Sequence, residues 1–408
     1  MSEPVERRAL VLAGTGSFLS AAGASLMGIA LPSLARRFGV PLESAQGLML
    51  AYTITVTVCL LPFGLVADRA GLVKIARVGF SAFAIASAAL TVVPSFRAMM
   101  IARSVQGASA ALLMASLPAW LSAVTPPNER GRALGLSASA TYVGLTTGPV
   151  LGGFLVRALG PQGIFVVLVP IAAISAIALF RTDAKEARGA GGPPAPSRTE
   201  GLRELFGTRG VPVGAFAAYL QYATTFAVSA QIPFLLQDEH GMSPERAGLV
   251  AVVQPAVMVV VAPFAGRLSD ARGARPFVVV GSLVCALAAF AMRATLGLGS
   301  PMVVGVCLGV LGLGAGLFTS PNNASLLSAA PPKLRGSASA LVALARNAGM
   351  VTGVVVSTRV LTWVSGSARP RGDAFVSGYR AALLVAVALG VGAALVSLGR
   401  AKPATDAT

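Results

Sequence analysis

Histidine is almost missing from this chain. One imidazole, His240, stands among 408 residues, with three cysteines and only 15 acidic residues against 32 basic ones. That scarcity excludes histidine-rich metal ligand sets, and no Ser-His-Asp set or phosphate-binding loop is written either. Cys59, Cys285 and Cys307 lie in apolar runs at no motif spacing, so neither a disulfide framework, a metal site nor a cofactor is implied. Charge is sparse as well. Only 12% of the residues are charged, about half of what a soluble domain carries. A soluble fold is excluded on that ground, and 55% of the residues are hydrophobic.

What is present is length without polarity. Apolar runs recur along the whole chain, each long enough to cross a bilayer as a helix. Window length predicts twelve spans, near 9–35, 44–67, 73–93, 97–124, 131–157, 163–181, 211–237, 244–267, 275–297, 301–329, 336–363 and 376–399. Arg7 and Arg8 precede a first run reaching about Ala35, too long for a signal-peptide core, so it reads as a retained helix. The stretch RTDAKEARGAGGPPAPSRTEGLRELFGTRG, residues 181 to 210, is the one long polar segment and reads as a flexible linker. Its GLRELFG end suits a short interfacial helix. The expected organisation is a first half over 1–181, a linker over 182–210, a second half over 211–400 and a tail over 401–408.

The net charge of +17 invites a nucleic-acid reading. Sidedness accounts for it instead. With the N-terminus inside, about 20 basic residues fall in cytoplasmic segments and about 8 in outer loops, including Arg36, Arg37, Arg157, Arg246, Arg369 and Arg371. Both termini are therefore expected in the cytoplasm, with the lipid bilayer and not nucleic acid as the partner. His240 falls in the loop after the seventh span, where a solvated residue is the plainer reading than a pH sensor.

The chain repeats itself. GLVADRAG (64–71) returns as GRLSDARG (266–273), pairing Gly64, Asp68 and Gly71 with Gly266, Asp270 and Gly273 at an offset of 202. PPNERGRALGL (126–136) matches PPKLRGSASAL (331–341) at 205, and Gly144 and Gly148 match Gly349 and Gly353 at the same offset. Ordered matches at nearly one offset indicate internal duplication. Six spans per repeat give two halves in the same orientation, an arrangement that places the substrate site between them near the midplane.

These residues resemble the major facilitator superfamily over the whole chain. GLVADRAG looks like that family's loop motif between the second and third helices. It departs from the pattern after Gly71, where Leu72 and Val73 replace the usual basic pair and Lys74 comes one position late. RSVQGASAA (103–111) is similar to the fourth-helix motif, with Arg103, Gln106 and Gly107 matching. GLTTGPVLGG (144–153) looks like the fifth-helix motif of drug–proton antiporters, through Gly144, Gly148, Pro149, Gly152 and Gly153. IALPSLARRFG, from 29, and LGAGLFTSPNNASLLSAAPPKLRGSASAL, from 313, resemble the drug-efflux branches. The resemblance implies an all-α integral membrane fold of twelve helices in two pseudosymmetric halves.

Site expectations follow. Gly71 and Gly273 permit positive φ in a tight turn. Asp68 and Asp270, read as lying just before the third and ninth spans, suit helix caps. The resemblance adds a gating role for Gly64, Asp68, Arg69, Gly71, Asp270 and Gly273. Arg103 lies about two turns inside a span, where a charge is costly and marks either function or a side chain snorkelling outward; with Gln106 it is the candidate coupling site. Gly144, Gly148 and Gly152 form one helix stripe for close packing, and Pro149 kinks it. Val354 stands where the second half would need that proline. Candidate cavity residues are Ser25, Met27, Met114, Ser116, Tyr219, Tyr222, Thr225, Phe226, Gln231, Phe318, Asn322 and Asn323, with Gln254 on the eighth span. Asn322 and Asn323 follow Pro321 and also suit the mending of a broken helix.

Missing acids shape the functional expectation. Many exporters of the resembled type carry an Asp eight positions before the Ala of an Ala-Leu-Pro triplet; here the triplet is Ala30-Leu31-Pro32 and the position is Gly23. No span holds a central acid, and Glu43, Asp238 and Glu239 sit at the outer edge. A proton carrier needs a titratable group, so coupling falls to those edge carboxylates, to Asp68 with Arg103, or to something other than protons. Neutral, zwitterionic or anionic amphiphiles are expected over permanent cations. Robust ethidium efflux, untouched by Asp238→Asn or Glu239→Gln, would overturn that preference. The expected function is proton-coupled export of a small organic compound across a bacterial cytoplasmic membrane, for which a monomer suffices. Uptake by symport, facilitated passage and a non-transporting receptor are the alternatives, and an enzyme is not expected.

Overall fold

The computed structural model describes residues 3–126, 129–181, 204, 206–208, 210–331 and 334–399. The linker, the expected short helix near 201–207 and the tail over 401–408 fall largely outside that range. Within it the chain is all helix, with no strand. The first six helices are α1 (Glu3–Phe38), α2 (Leu42–Ala70), α3 (Leu72–Val92), α4 (Phe96–Val124), α5 (Arg130–Leu159) and α6 (Leu168–Phe180), with a short 3₁₀ turn at Gly163–Phe165. They are followed by α7 (Gly210–Ser229), α8 (Pro244–Ala251), α9 (Val253–Arg272), α10 (Ala274–Thr295), α11 (Pro301–Ala329), α12 (Arg335–Ser365) and α13 (Asp373–Leu398). One residue, Val252, separates α8 from α9, and together they fill the eighth span. Ten helices among the described residues are long and apolar enough to cross a membrane by length and composition, and α2 and α7 complete the twelve.

Local chemistry sets several boundaries. Ser95 caps α4 by accepting from the Ala98 N–H. Pro244 opens α8 at a position where its missing N–H costs nothing. Proline inside α1, α2, α4, α5, α9 and α11 leaves each helix continuous. In particular α11 runs unbroken through Pro321, so Asn322 and Asn323 mend no break there.

The expected continuous span 211–237 is interrupted. It stops at Ser229, turns through residues 230–231, resumes for Ile232–Phe234 and widens into a π-turn at Leu235–Glu239. Pro233 supplies the cause: its ring collides with the carbonyl four residues back, at Ser229, and it donates no hydrogen bond.

Two compact units emerge from the packing. One contains α1–α6 together with α8; the other contains α7 and α9–α13. In the first, α1 packs on α5, α2 and α3 on α4, and α3 on α6. In the second, α7 packs on α12, α9 and α10 on α11, and α10 on α13. The pairings are the same after the sequence offset, so the duplication read in the motifs is also a duplication of contacts. Close helix approach is built the same way in both. A Cβ on Gly107 would lie 2.6 Å from the Tyr52 carbonyl oxygen, and one on its mate Gly312 would strike the carbonyl of Gln254, the mate of Tyr52.

Candidate functional site

Arg103 is the only arginine among the largest fully buried side chains, with 0% exposure. It does not snorkel. Its Nη1 donates to the Gly23 carbonyl at 3.0 Å and to Gln106 Oε1 at 2.6 Å, and its Nε donates to the Leu48 carbonyl at 3.3 Å. The guanidinium lies 4.5 Å from the Tyr52 ring centroid and 5.7 Å from that of Phe165. Gln106 passes the network on, donating from Nε2 to Ser87 Oγ at 2.8 Å. Tyr52 is fixed in turn by donating to the Ser20 carbonyl at 2.8 Å. Carbonyl dipoles and ring faces thus solvate the cation, and no carboxylate pairs with it among the described residues. Desolvated cation–π contacts contribute about 2 kcal/mol or more each. Arg103 Nη2 is left buried without a hydrogen-bond partner.

The site belongs to one half. At the offset of 205, Leu308 and Leu311 stand where Arg103 and Gln106 do. The scaffold is doubled and the charge is single.

The fifth-span motif has two working faces. Gly144, Gly148 and Gly152 meet α1: a Cβ on Gly144 would lie 2.7 Å from the Phe18 carbonyl oxygen, one on Gly148 would strike Ser25, and one on Gly152 would lie 3.2 Å from the Leu26 carbonyl oxygen. Ser25 Oγ donates to the Leu145 carbonyl across the same seam. Pro149, Gly153 and Arg157, also spaced by four, meet α8 instead. A Cβ on Gly153 would lie 2.7 Å from Glu245 Cα, and one on Gly248 would strike the Pro149 carbonyl. Arg157 closes this face with an ion pair, Nη1 to Glu245 Oε1 at 2.6 Å.

The second unit spends its polar groups on the interruption after α7. Ser357 Oγ donates to the Ala227 carbonyl at 2.8 Å and Tyr379 Oη to the Val228 carbonyl at 2.6 Å. Gln231 Nε2 donates to Thr358 Oγ1 at 3.0 Å. Gln231 is fully buried, and its amide is taken up by α12. Phe318 belongs to a core cluster with Ala217, Ala218 and Val278. Met27, Ser116 and Asn322 are buried as well, and Thr225 returns its hydroxyl to the Gln221 carbonyl. Met114, Tyr222, Phe226 and Asn323 are partly exposed, as is Tyr219, whose hydroxyl meets Thr352. Gln254 accepts from Ser229 at 2.7 Å. Of the twelve cavity candidates and Gln254, the partly exposed set is the one left available to a ligand.

The duplicated Gly-Asp-Gly stretch is more helical than its motif suggests. Gly64 to Ala70 complete α2, and the turn is Gly71 alone, with φ 99°; Gly273 does the same at φ 81°. These glycines occupy the N-cap positions of α3 and α10, without a side-chain cap. The expected capping by Asp68 and Asp270 is thereby corrected: both acids sit in the last turn of the preceding helix. Asp270 and Arg69 are exposed; the Asp68 side chain is outside the described part of the structure.

At the end of the π-turn, Glu239 Oε2 accepts from the Gly372 N–H at 2.7 Å, tying the turn to the start of α13. Partial burial, with Asp238 beside it, pushes the Glu239 carboxyl above its ordinary range despite that bond. His240 is half-buried, and burial lowers its pKa. No group of three or more His, Cys, Asp or Glu side chains able to hold a metal ion occurs among the described residues.

Two groups escaped sequence reading. The cage around Arg103 is made of backbone oxygens and rings, which no motif encodes. Glu245 lay at the same edge as Glu43, Asp238 and Glu239, and the Ser243-Pro244-Glu245 helix start was the signal that would have found it.

Comparison with known proteins agrees with this geometry. The profile of the Major Facilitator Superfamily matches residues 13–354 and 213–407. The riboflavin transporter RibZ of Clostridioides difficile is 29% identical over 84% of this chain and 86% of its own. The tetracenomycin C resistance and export protein of Streptomyces glaucescens is 26% identical over 86% of this chain and 76% of its own. The crystal structure of a bacterial homolog of the human lysosomal transporter Spinster, inward-facing and unoccupied, superposes with a TM-score of 0.79 at 16% identity, covering 99% of this chain and 100% of that one. The D-xylose–proton symporter superposes at 0.74, also at 16% identity, covering 96% and 97%.

Proposed function

Because the chain belongs to the Major Facilitator Superfamily, we propose that it is a secondary active exporter of small organic compounds, an antibiotic or secondary metabolite among them, driven by proton antiport. It works by alternating access in a bacterial cytoplasmic membrane, with both termini inside. The observation that carries this reading is the Gly148-Pro149 stretch of α5, packed against Ser25 of α1 and the Gly248 backbone of α8 and absent as a Gly-Pro pair from the second half. Such a seam excludes water and ions along α5 and suits a carrier that must not leak protons. Resemblance to a tetracenomycin C exporter supports the same direction.

Roles follow from placement. The Gly64–Gly71 stretch biases the conformers, with Asp68 as its acid. Arg103, held by Gln106, takes part in coupling. Its uncompensated positive charge favours neutral, zwitterionic or anionic substrates over permanent cations. Met114, Tyr222 and Asn323 are the substrate-contact candidates that remain partly exposed.

A second reading, metabolite uptake or facilitated passage, is favoured by the resemblance to a riboflavin transporter. One experiment addresses both. Purified protein in proteoliposomes with an imposed pH gradient is offered antibiotics, dyes and riboflavin. Export predicts substrate movement opposite to the proton gradient, abolished by Asp68→Asn or Arg103→Ala. Movement with the gradient supports uptake, and movement indifferent to it supports facilitated passage.

A further inference from the structure

Arg293 and Arg380 are two cations of the second unit that nothing described so far employs. Arg293 is in the last turn of α10, and Arg380 lies about two turns inside α13. A Cβ added to Gly297, in the turn that follows α10, would come 2.9 Å from Arg380 Nη2. Further along the same seam, one added to Gly390 would come 3.0 Å from Ala286 Cβ. These two contacts set the antiparallel register of α10 against α13. In that register Arg293 falls about one helical turn from the level of Arg380.

Like charges at neighbouring positions repel unless an anion joins them. The protein supplies none. Among the described residues no carboxylate forms an ion pair with either arginine, and Arg293 Nε is buried without a hydrogen-bond partner. The helix α10 contains no acid, and the one acid of α13, Asp373, is its first residue, about two turns beyond Arg380. The arrangement is particular to this half. The matching helices of the first half, α3 and α6, carry no charge beyond Arg77 near the start of α3.

The surroundings say which anion fits. Arg380 is exposed, on a stripe of α13 that continues through Leu384, Val391 and Leu395. The exposed stripe of α10 leading up to Arg293 is Leu283, Leu287 and Phe290. At the same end α12 exposes Trp363, a residue type that settles at membrane–water interfaces. Charge above two apolar stripes is the pattern of a headgroup above acyl chains, and the guanidinium fork matches phosphate oxygens. We infer that the α10–α13 seam, at its end remote from Gly273, binds one anionic phospholipid, with its phosphate held by Arg293 and Arg380 and its chains laid along Leu287, Phe290 and Leu384. Assignment to the outer leaflet rests on the orientation proposed above; the site itself does not.

The test needs no transport substrate. Full-length protein in detergent is offered phosphatidylglycerol or phosphatidylcholine of the same chains, and retained lipid is counted by native mass spectrometry. Both lipids carry a phosphate, but only phosphatidylglycerol has a net negative charge. The parent is expected to retain phosphatidylglycerol in preference. Arg293→Gln combined with Arg380→Gln should lower that retention at least about tenfold, as removal of two arginines from an anionic lipid implies. Arg97→Gln, which removes an exposed arginine of the first half, should leave it unchanged. Glycerol phosphate, a headgroup without chains, should not displace the lipid. Equal retention of the two lipids by the parent overturns the inference, as does undiminished retention by the double variant or an equal loss in Arg97→Gln. Displacement by glycerol phosphate would assign the arginines to a free anion and overturn the lipid site. Should the double variant not fold, the parent decides. Phosphatidylglycerol with a photoreactive headgroup is expected to label residues 290–302 or 376–384, and labelling confined to other segments overturns the inference.

Discussion

At Arg103 a full charge is kept in the membrane by three acceptors and two rings. The depth of the residue was legible in the sequence, since a run of apolar residues fixes where position 103 falls. Its partners were not, because the Gly23 and Leu48 contributions are main-chain oxygens and any residue there would have supplied them. Gly23 has room for more. A Cβ there would meet Phe83 Cζ at 3.4 Å and the Tyr52 hydroxyl at 3.7 Å, ordinary contact distances. Gly23→Asp should therefore fold, place a carboxylate beside Arg103 and raise the melting temperature. It should also increase ethidium efflux at least about fivefold, the factor that 1 kcal/mol of added attraction confers; vesicle efflux assays on the two proteins decide it. A second single-residue expectation concerns pH. Glu239 has its pKa raised in the folded chain, so the folded state binds its proton more readily than the unfolded one. Its contribution thus grows more favourable as pH falls through the raised value and is lost as pH rises. Melting curves of the parent and Glu239→Gln should show the parent gaining on the variant between neutral and mildly acid pH. A difference that stays constant across that range would refute the assignment.

Among helices, the fifth is the informative one. Its stripe at 144, 148 and 152 followed from spacing alone, because residues four apart share a face. The second stripe, through Pro149, Gly153 and Arg157, has the same spacing and was missed because its partner α8 comes some ninety residues later. Helix spacing tells which residues look the same way and says nothing about what they look at. Gly153→Ala and Gly248→Ala should each cost about 1–3 kcal/mol of overpacking and slow transport. Gly135→Ala, on the same helix with open space where its Cβ would go, should be neutral or slightly stabilising by helix propensity. Thermal unfolding in detergent beside transport rates separates these cases, and equal effects at all three positions would remove the packing argument. The seventh span was misjudged for the opposite reason. Hydropathy sees apolar residues on both sides of Pro233 and joins them, whereas the helix breaks after Ser229, the residue that the ring crowds.

For the whole molecule, two offsets and a handful of glycines were enough to announce a doubled architecture, and the helix pairings repeat as the motifs did. What the offsets could not show is that α8, second-half by sequence, packs among the first-half helices. That depends on contacts far apart in the chain, which periodicity does not carry. If the halves are separable folding units joined by the polar segment, cutting the chain within 182–203 and co-expressing the pieces should restore transport to within about tenfold of the intact protein, since a flexible tether contributes chiefly effective concentration. Either piece alone should transport nothing. Co-purification of the pieces with measured transport checks this, and loss of transport despite co-purification would assign the linker a role beyond tethering.

The interruption after α7 also bears on how the chain is made. The hydroxyls that meet the Ala227 and Val228 carbonyls, and the Thr358 hydroxyl that receives Gln231, lie 127 to 151 residues downstream. During synthesis α7 reaches the insertion machinery long before α12 and α13 exist. Its freed carbonyls must meanwhile face water, the insertion channel or a chaperone, because lipid offers them no donor. A nascent chain stalled ahead of α12 would carry that exposed break as a mark of incompleteness, visible to quality-control proteases. Release from the ribosome with α13 in place would erase it.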